Sequence, residues 1–159
     1  MDHREKGFLK KIEALIDGEK ARVAVHKAVQ ETKSMLDADP ERLTAAVQVM
    51  LSVFGDGLPS EIKSCRVFAL RAGLKSRTEC HPNSHQRVLS LAGTGEIRVF
   101  DDPKPVTVFL KGDRDGPIEQ RWGSLKENIW HQPVAGPEDW VVLTFHTASE
   151  AELIDEFKD

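Results

Sequence analysis

The apolar positions change their period along the chain. Up to about residue 57 they recur every three to four residues, the spacing of amphipathic helices. Phe8, Leu9, Ile12, Leu15 and Ile16 form one stripe, which Asp17-Gly18 ends. Val25, Ala28, Val29, Thr32 and Leu36 form a second, with His26 beside the apolar side as a boundary histidine. A third helix is predicted after Asp39, which can cap it, and Pro40, which suits the first helical position. Leu43, Ala46, Val47, Met50, Leu51 and Phe54 would be its apolar face, before Gly55. Each helix has one apolar side and therefore needs a surface to pack on.

"GDGLPS" (55–60) breaks this pattern and reads as a linker. After it come short runs rich in Val, Leu, Ile and Phe: "CRVFAL" (65–70), "QRVLSLAG" (86–93), "EIRVFDD" (96–102), "VTVFL" (106–110) and "WVVLTFH" (140–146). Gly93-Thr94-Gly95, Asp101-Asp102-Pro103 and Lys111-Gly112-Asp113 punctuate them as turns. Strands in succession without intervening helices predict an antiparallel sandwich or small barrel over residues 62–148. Ser149 and Glu152 have the spacing of a capping box, so residues 149–159 are expected to close as a short helix. Trp122, Trp130 and Trp140 read as core and rim of the barrel.

Composition narrows the function classes. A chain of 159 residues suggests one domain, large enough to bury a core without a disulfide or a structural metal. With 40% apolar and 30% charged residues it reads as a globular protein. The net charge of −4 argues against a nucleic-acid partner. No apolar run approaches the ~20 residues of a membrane span, and "MDHREKGFLKK" lacks the apolar centre of a signal peptide. Two cysteines, Cys65 and Cys80, read as reduced thiols, and a cytoplasmic location is expected.

Candidate chemistry gathers in "ECHPNSHQ" (79–86). Strand alternation puts Glu79 and His81 on one face and Cys80 on the other. Pro82 stops that strand, and Gln86 begins the next. From Gly73 to Gly93 the spacing is G-x5-E-x-H-x4-Q-x6-G, which resembles the first motif of the cupin barrels, with Glu79 where those have histidine and Gln86 where they have glutamate. Of the second cupin motif only His131, in "ENIWHQP", is matched. "ECHPNSHQ" with "RVLSLAGTGEI", and "ENIWHQPVAGPEDWVVLTFH", are similar to blocks of the cysteine dioxygenase (thiol dioxygenase) branch, over roughly residues 62–148.

The resemblance implies a cupin-like antiparallel β-barrel (a double-stranded β-helix) behind N-terminal helices. It implies His81 and His131 as iron ligands, with Glu79 in the place of a third, ligand histidine. It also implies His146, fifteen positions after His131, as a histidine beside the metal that is not a ligand, steadied by Thr144 in the place of a serine. Gln86 stands where animal members carry a cysteine and Ala148 where they carry the partner tyrosine, and this chain has no tyrosine at all.

Residue chemistry alone allows the same site. Two neutral imidazoles and a carboxylate hold Fe(II) on one face and leave positions open for oxygen and a substrate anion. Gln86 or His85 could stand near such a metal, and Arg66, Arg71 or Arg87 could clamp a carboxylate if one of them faces the barrel lumen. His85 reads equally as part of a solvated turn, and His81 with His131 as hydrogen-bonded barrel-lining histidines. Two functions stay open. One is oxidation by O2 of a small thiol or related small acid at non-haem iron. The other is a cupin that binds metal or ligand without turnover, as a sensor or structural module, with dimerisation through the helices as an option. Neither involves nucleic acid or a membrane.

Overall fold

The computed structural model describes residues 1–100 and 103–158. The Asp101-Asp102 part of the turn expected there lies outside the described residues. Two helices open the chain, α1 (His3–Ile16) and α2 (Glu19–Ala38). Asp2 caps α1 by accepting the Glu5 amide at 2.8 Å, satisfying one of the free donors of the first turn. Ten strands follow, β1 (Thr44–Gln48), β2 (Ser64–Leu70), β3 (Thr78–Cys80), β4 (Gln86–Ala92), β5 (Thr94–Val99), β6 (Val106–Lys111), β7 (Trp122–Leu125), β8 (His131–Ala135), β9 (Trp140–His146) and β10 (Glu156–Lys158). A one-turn helix, α3 (Ile118–Arg121), precedes β7. No described helix is long and apolar enough to cross a membrane.

The strands form two five-stranded sheets, ordered β1-β2-β9-β4-β7 and β10-β3-β8-β5-β6, with every pairing antiparallel. The first sheet is apolar on both sides. Cys65, Val67, Ala69, Leu89, Val141, Leu143 and Phe145 face Leu9, Ile12, Val25, Ala28 and Leu36 of the helices, so the stripes read from the sequence cover the outside of this sheet. Leu70, Val88, Trp140 and Val142 face the second sheet, where Ile97, Leu110 and Ala135 meet them. Of the tryptophans, Trp122 lies in the helix-facing core and Trp140 between the sheets, both fully buried.

Glycines of the motif occupy conformations that other residues resist. Gly73 and Gly93 have φ of +71° and +72°, the left-handed region. Gly95 is small for a different reason, because a Cβ there would come within 2.2 Å of the Trp140 ring.

Three expectations need correction. The third helix does not form. Residues 44–48 are β1, paired in full register with β2 from Thr44↔Leu70 to Gln48↔Arg66, and Leu51–Phe54 is a short 3-10 turn. "LTAAVQV" satisfies both periods, and pairing along the open edge of β2 decides for the strand. Ala45 and Val49 then pack toward the helices while Thr44 and Ala46 face between the sheets. Asp39, instead of capping a helix, ends α2 in an extended conformation and accepts the Glu41 amide. The second correction follows from the first: "GDGLPS" is a loop inside the sheet region, since β1 before it belongs to the same sheet as β2. Third, residues 149–158 are not a helix. Ser149 and Glu152 do bond side chain to side chain at 2.8 Å, but after one turn the chain extends into β10 and pairs with β3.

Candidate metal centre

Short elements of the second sheet carry the cluster. β3 presents Glu79, and His81 follows it, two residues on and on the same side. β8 begins with His131, directly opposite Glu79 across the ladder. Oε1 of Glu79 lies 3.4 Å from Nε2 of His131 and 3.9 Å from Nε2 of His81. One potential ligand atom from each of the three falls within 4.8 Å of the others, and no other trio of His, Cys, Asp and Glu among the described residues does so. From the facing sheet, β4 contributes Gln86 and β9 contributes His146, which are cross-strand partners. The His81 ring stands 5.3 Å from that of His131 and 5.0 Å, edge-on, from that of His146.

The hydrogen bonds of the rings decide which nitrogen of each is free. Nδ1 of His131 donates to the Ile129 carbonyl at 2.9 Å, so the lone pair is on Nε2. Nδ1 of His81 lies 2.8 Å from Oδ1 of Asp155, at ion-pair distance though without the alignment of a hydrogen bond. His146 differs. Its Nδ1 is 3.2 Å from the Ser84 hydroxyl, which already accepts the amides of Thr147 and Ala148. The same hydroxyl also lies 3.4 Å from the His85 carbonyl, to which it can donate. Burial, then the charge of Arg66, pushes the His146 pKa down to about 2, and the ring is neutral.

Five polar atoms here are buried without a hydrogen-bond partner: Nδ1 and Nε2 of His81, Nε2 of His131, Nε2 of His146 and Oε1 of Gln86. A buried polar atom left unpaired costs about 1–3 kcal/mol. Several at one spot, on neutral imidazoles beside a carboxylate, fit the donor set of a divalent transition metal better than they fit a folded core. Glu79, His81 and His131 would hold it.

Other residues singled out in the sequence lie elsewhere. His85 is not at the centre. It faces the helices, where its Nε2 meets the Ser124 hydroxyl at 2.7 Å and Ser124 in turn donates to Glu5 at 2.8 Å. Alternation explains the separation from Gln86, its immediate neighbour. Thr144 does not steady His146 either, for its hydroxyl donates to the Arg66 carbonyl while Ser84 touches the ring. Arg71 donates to the carbonyls of Leu36, Asp39 and Arg42 at the end of α2. Arg87 is locked against Glu5. Only Arg66 of the three faces the lumen. Cys80 is buried, its thiol pushed up by that burial, and lines no part of the cavity.

The cluster opens into a cavity of about 330 Å³ between the sheets, lined by Glu79, Gln86, His131, Arg66, Phe68 and Trp140 among others. Arg77, Asp155 and Phe157 complete its wall, and sequence reasoning found none of these. Asp155 is 76 positions after Glu79, outside every motif. Contact with His81 lowers its pKa more than burial raises it, so its carboxyl lies below the usual range.

Glu79→Gln should lower the affinity for a divalent cation sharply, since it removes a ligand and a negative charge together. The melting temperature of the metal-free protein should stay nearly the same. Calorimetric titration and thermal melts of the two proteins check both halves, and a large loss of metal-free stability would mark Glu79 as structural.

No protein-family model matches the chain, and no curated protein matches its sequence. Solved structures do match. The capsular polysaccharide assembling protein CapF of Staphylococcus aureus superposes with a TM-score of 0.57 at 13% identity, over 75% of this chain and 30% of that one. An oxalate oxidase gives 0.55 at 8% identity, over 74% and 56%. The oxalate decarboxylase of Lactobacillus farciminis gives 0.53 at 15% identity, over 73% and 31%. This chain thus spans about a third to a little over half of their lengths. The likeness is one of fold, two facing antiparallel sheets, and that fold is the cupin fold.

Proposed function

We propose that the chain is a metal-dependent cupin that oxidises a small thiol or related small acid with O2 at a non-haem iron held by Glu79, His81 and His131. The observation that carries this reading is the group of buried, unpartnered ring nitrogens beside Glu79, next to a cavity between the sheets that Glu79 and His131 line. Bound there, Fe(II) would supply open positions for oxygen and for the substrate anion, and would lower the pKa of a ligating thiol.

The chain's own residues supply the rest. Arg66, with Arg77 at the exposed side of the cavity, offers positive charge to the carboxylate of a small acid. Phe68, Trp140 and Val142 give the cavity an apolar wall. The cavity is at the small end of ligand pockets, which run from about 300 to 1,000 Å³, and suits a molecule of amino-acid size. His146, a neutral imidazole, can hydrogen-bond a bound group or pass on a proton. The conversion of RSH and O2 to the sulfinic acid RSO2H balances without another reductant.

The iron-loaded protein should therefore consume oxygen with at least one of a panel of small thiols and form the sulfinate. His146→Ala should keep its iron and lose that consumption. The missing tyrosine supports the other reading, a cupin that binds metal or ligand without turnover. Iron-loaded wild-type protein that consumes no oxygen with any thiol tested would leave that reading standing, and loss of iron from His146→Ala would make His146 a ligand.

A further inference from the structure

We infer that Asp155 is a positioning residue: carried across the metal cavity by the segment after β9, it holds the ring proton of His81 on Nδ1 and so keeps Nε2 available as a ligand atom. This rests on the reading of Glu79, His81 and His131 as metal ligands.

The two ligand histidines face the same competition. Nε2 of each lies near the Glu79 carboxylate, at 3.4 Å for His131 and 3.9 Å for His81. A proton on that nitrogen would be stabilised by Glu79 and would block metal binding, so something must hold the proton on the other side of the ring. For His131 it is the Ile129 carbonyl. For His81 the group at that place is the Asp155 carboxylate, its Oδ1 2.8 Å from Nδ1. An anion beside Nδ1 favours the proton there, raises the basicity of Nε2, and adds negative charge behind the metal.

Asp155 is set in place by the loop that His81 itself begins. Nδ2 of Asn83 donates to the Glu152 carbonyl at 2.7 Å, and Oδ1 of Asn83 accepts the Ile154 amide at 3.0 Å, a two-point hold on the residues just before Asp155. On its other side β10 pairs with β3, Phe157 opposite Glu79 and Glu156 opposite Cys80. Arg77 lies over the Phe157 ring and Lys158 over that of Trp130, both at 4.3 Å. The segment is thus fastened to the strand and loop that carry two of the three ligands. These fastenings fix the Asp155 carboxylate relative to the His81 ring.

Two variants test this, Asp155→Ala, which removes the acceptor, and Asp155→Asn, which keeps its size and an acceptor oxygen but not its charge. Nitrogen-15 NMR of the metal-free proteins should find the His81 proton on Nδ1 in the wild type and a substantial Nε2-protonated population in Asp155→Ala. Anaerobic titration with Fe(II) should show an affinity about 10–100-fold weaker for Asp155→Ala, with a smaller loss for Asp155→Asn. A wild-type His81 protonated on Nε2, or an Asp155→Ala protein that binds Fe(II) as tightly as the wild type, overturns the inference alone. Wild-type protein that binds no Fe(II) overturns the ligand reading and this inference with it.

Discussion

Replacing His131 by alanine should leave the protein without metal under conditions in which the wild type is fully loaded. His131 is buried, its Nε2 has no protein partner, and the Ile129 carbonyl keeps that nitrogen unprotonated. Its loss removes one of two imidazole ligands, so the affinity should fall by more than the roughly 10–100-fold that losing an outer hydrogen-bond partner costs. His81→Ala should behave alike. Metal-free stability should change little in comparison, because the alanine variant loses one hydrogen bond, about 1 kcal/mol, but also relieves a buried unpaired nitrogen. Added metal should raise the melting temperature of the wild type, by about 4 kcal/mol of stability at a thousandfold excess over Kd, and should not raise that of His131→Ala. Elemental analysis and thermal melts read both effects. Full metal occupancy in either variant contradicts the ligand assignment.

The largest effect on folding should come from Arg87→Ala. This buried guanidinium reaches Glu5 of α1 through Nε at 2.7 Å and Nη2 at 3.2 Å, meets Glu61 at 3.1 Å, and lies 4.1 Å from the centroid of the Phe8 ring. Ser124 adds a third hydrogen bond to Glu5. These contacts tie α1 to β4 and β7 through charge, beside the apolar face that the helices already share with the sheet. Removing the arginine leaves Glu5 largely buried with its charge unmatched, and breaking such a pair typically costs about 3–5 kcal/mol. A change below about 1 kcal/mol in chemical denaturation would mean that apolar packing alone holds α1.

The same network sets a pH dependence. Burial raises the Glu5 pKa, but the hydrogen bonds from Arg87 and Ser124 outweigh it and hold the carboxyl below its ordinary value. A group depressed in the folded state stabilises above its unfolded pKa, and its contribution fades as pH falls through the folded value. Wild-type stability should thus decline on acidification below the ordinary glutamate pKa, and Glu5→Gln should show a shallower decline.

What could be read from residues alone follows from where one periodicity governs. The stripes of α1 and α2 have only one interpretation, and both form. In "LTAAVQV" two periods coincide, and the open edge of β2 decides, which no local pattern reveals. β3, β7 and β8 are short, with polar residues in their interiors, too brief for alternation to stand out. Alternation did place Glu79 with His81, and applied one strand later it separates Gln86 from His85. His131 could be joined to them only through resemblance, since its position opposite Glu79 is a matter of strand pairing. Asp155 has no signal in the sequence, because it arrives by way of a turn and a three-residue strand that the Ser149–Glu152 spacing made look helical.

The most direct measurement is anomalous diffraction from crystals of Fe(II)-loaded protein, recorded above and below the iron absorption edge. One difference peak within bonding distance of the Glu79 carboxylate and of Nε2 of both His81 and His131 is the predicted result. A peak elsewhere, or one bounded by His146 in place of Glu79, would contradict the site proposed for this chain.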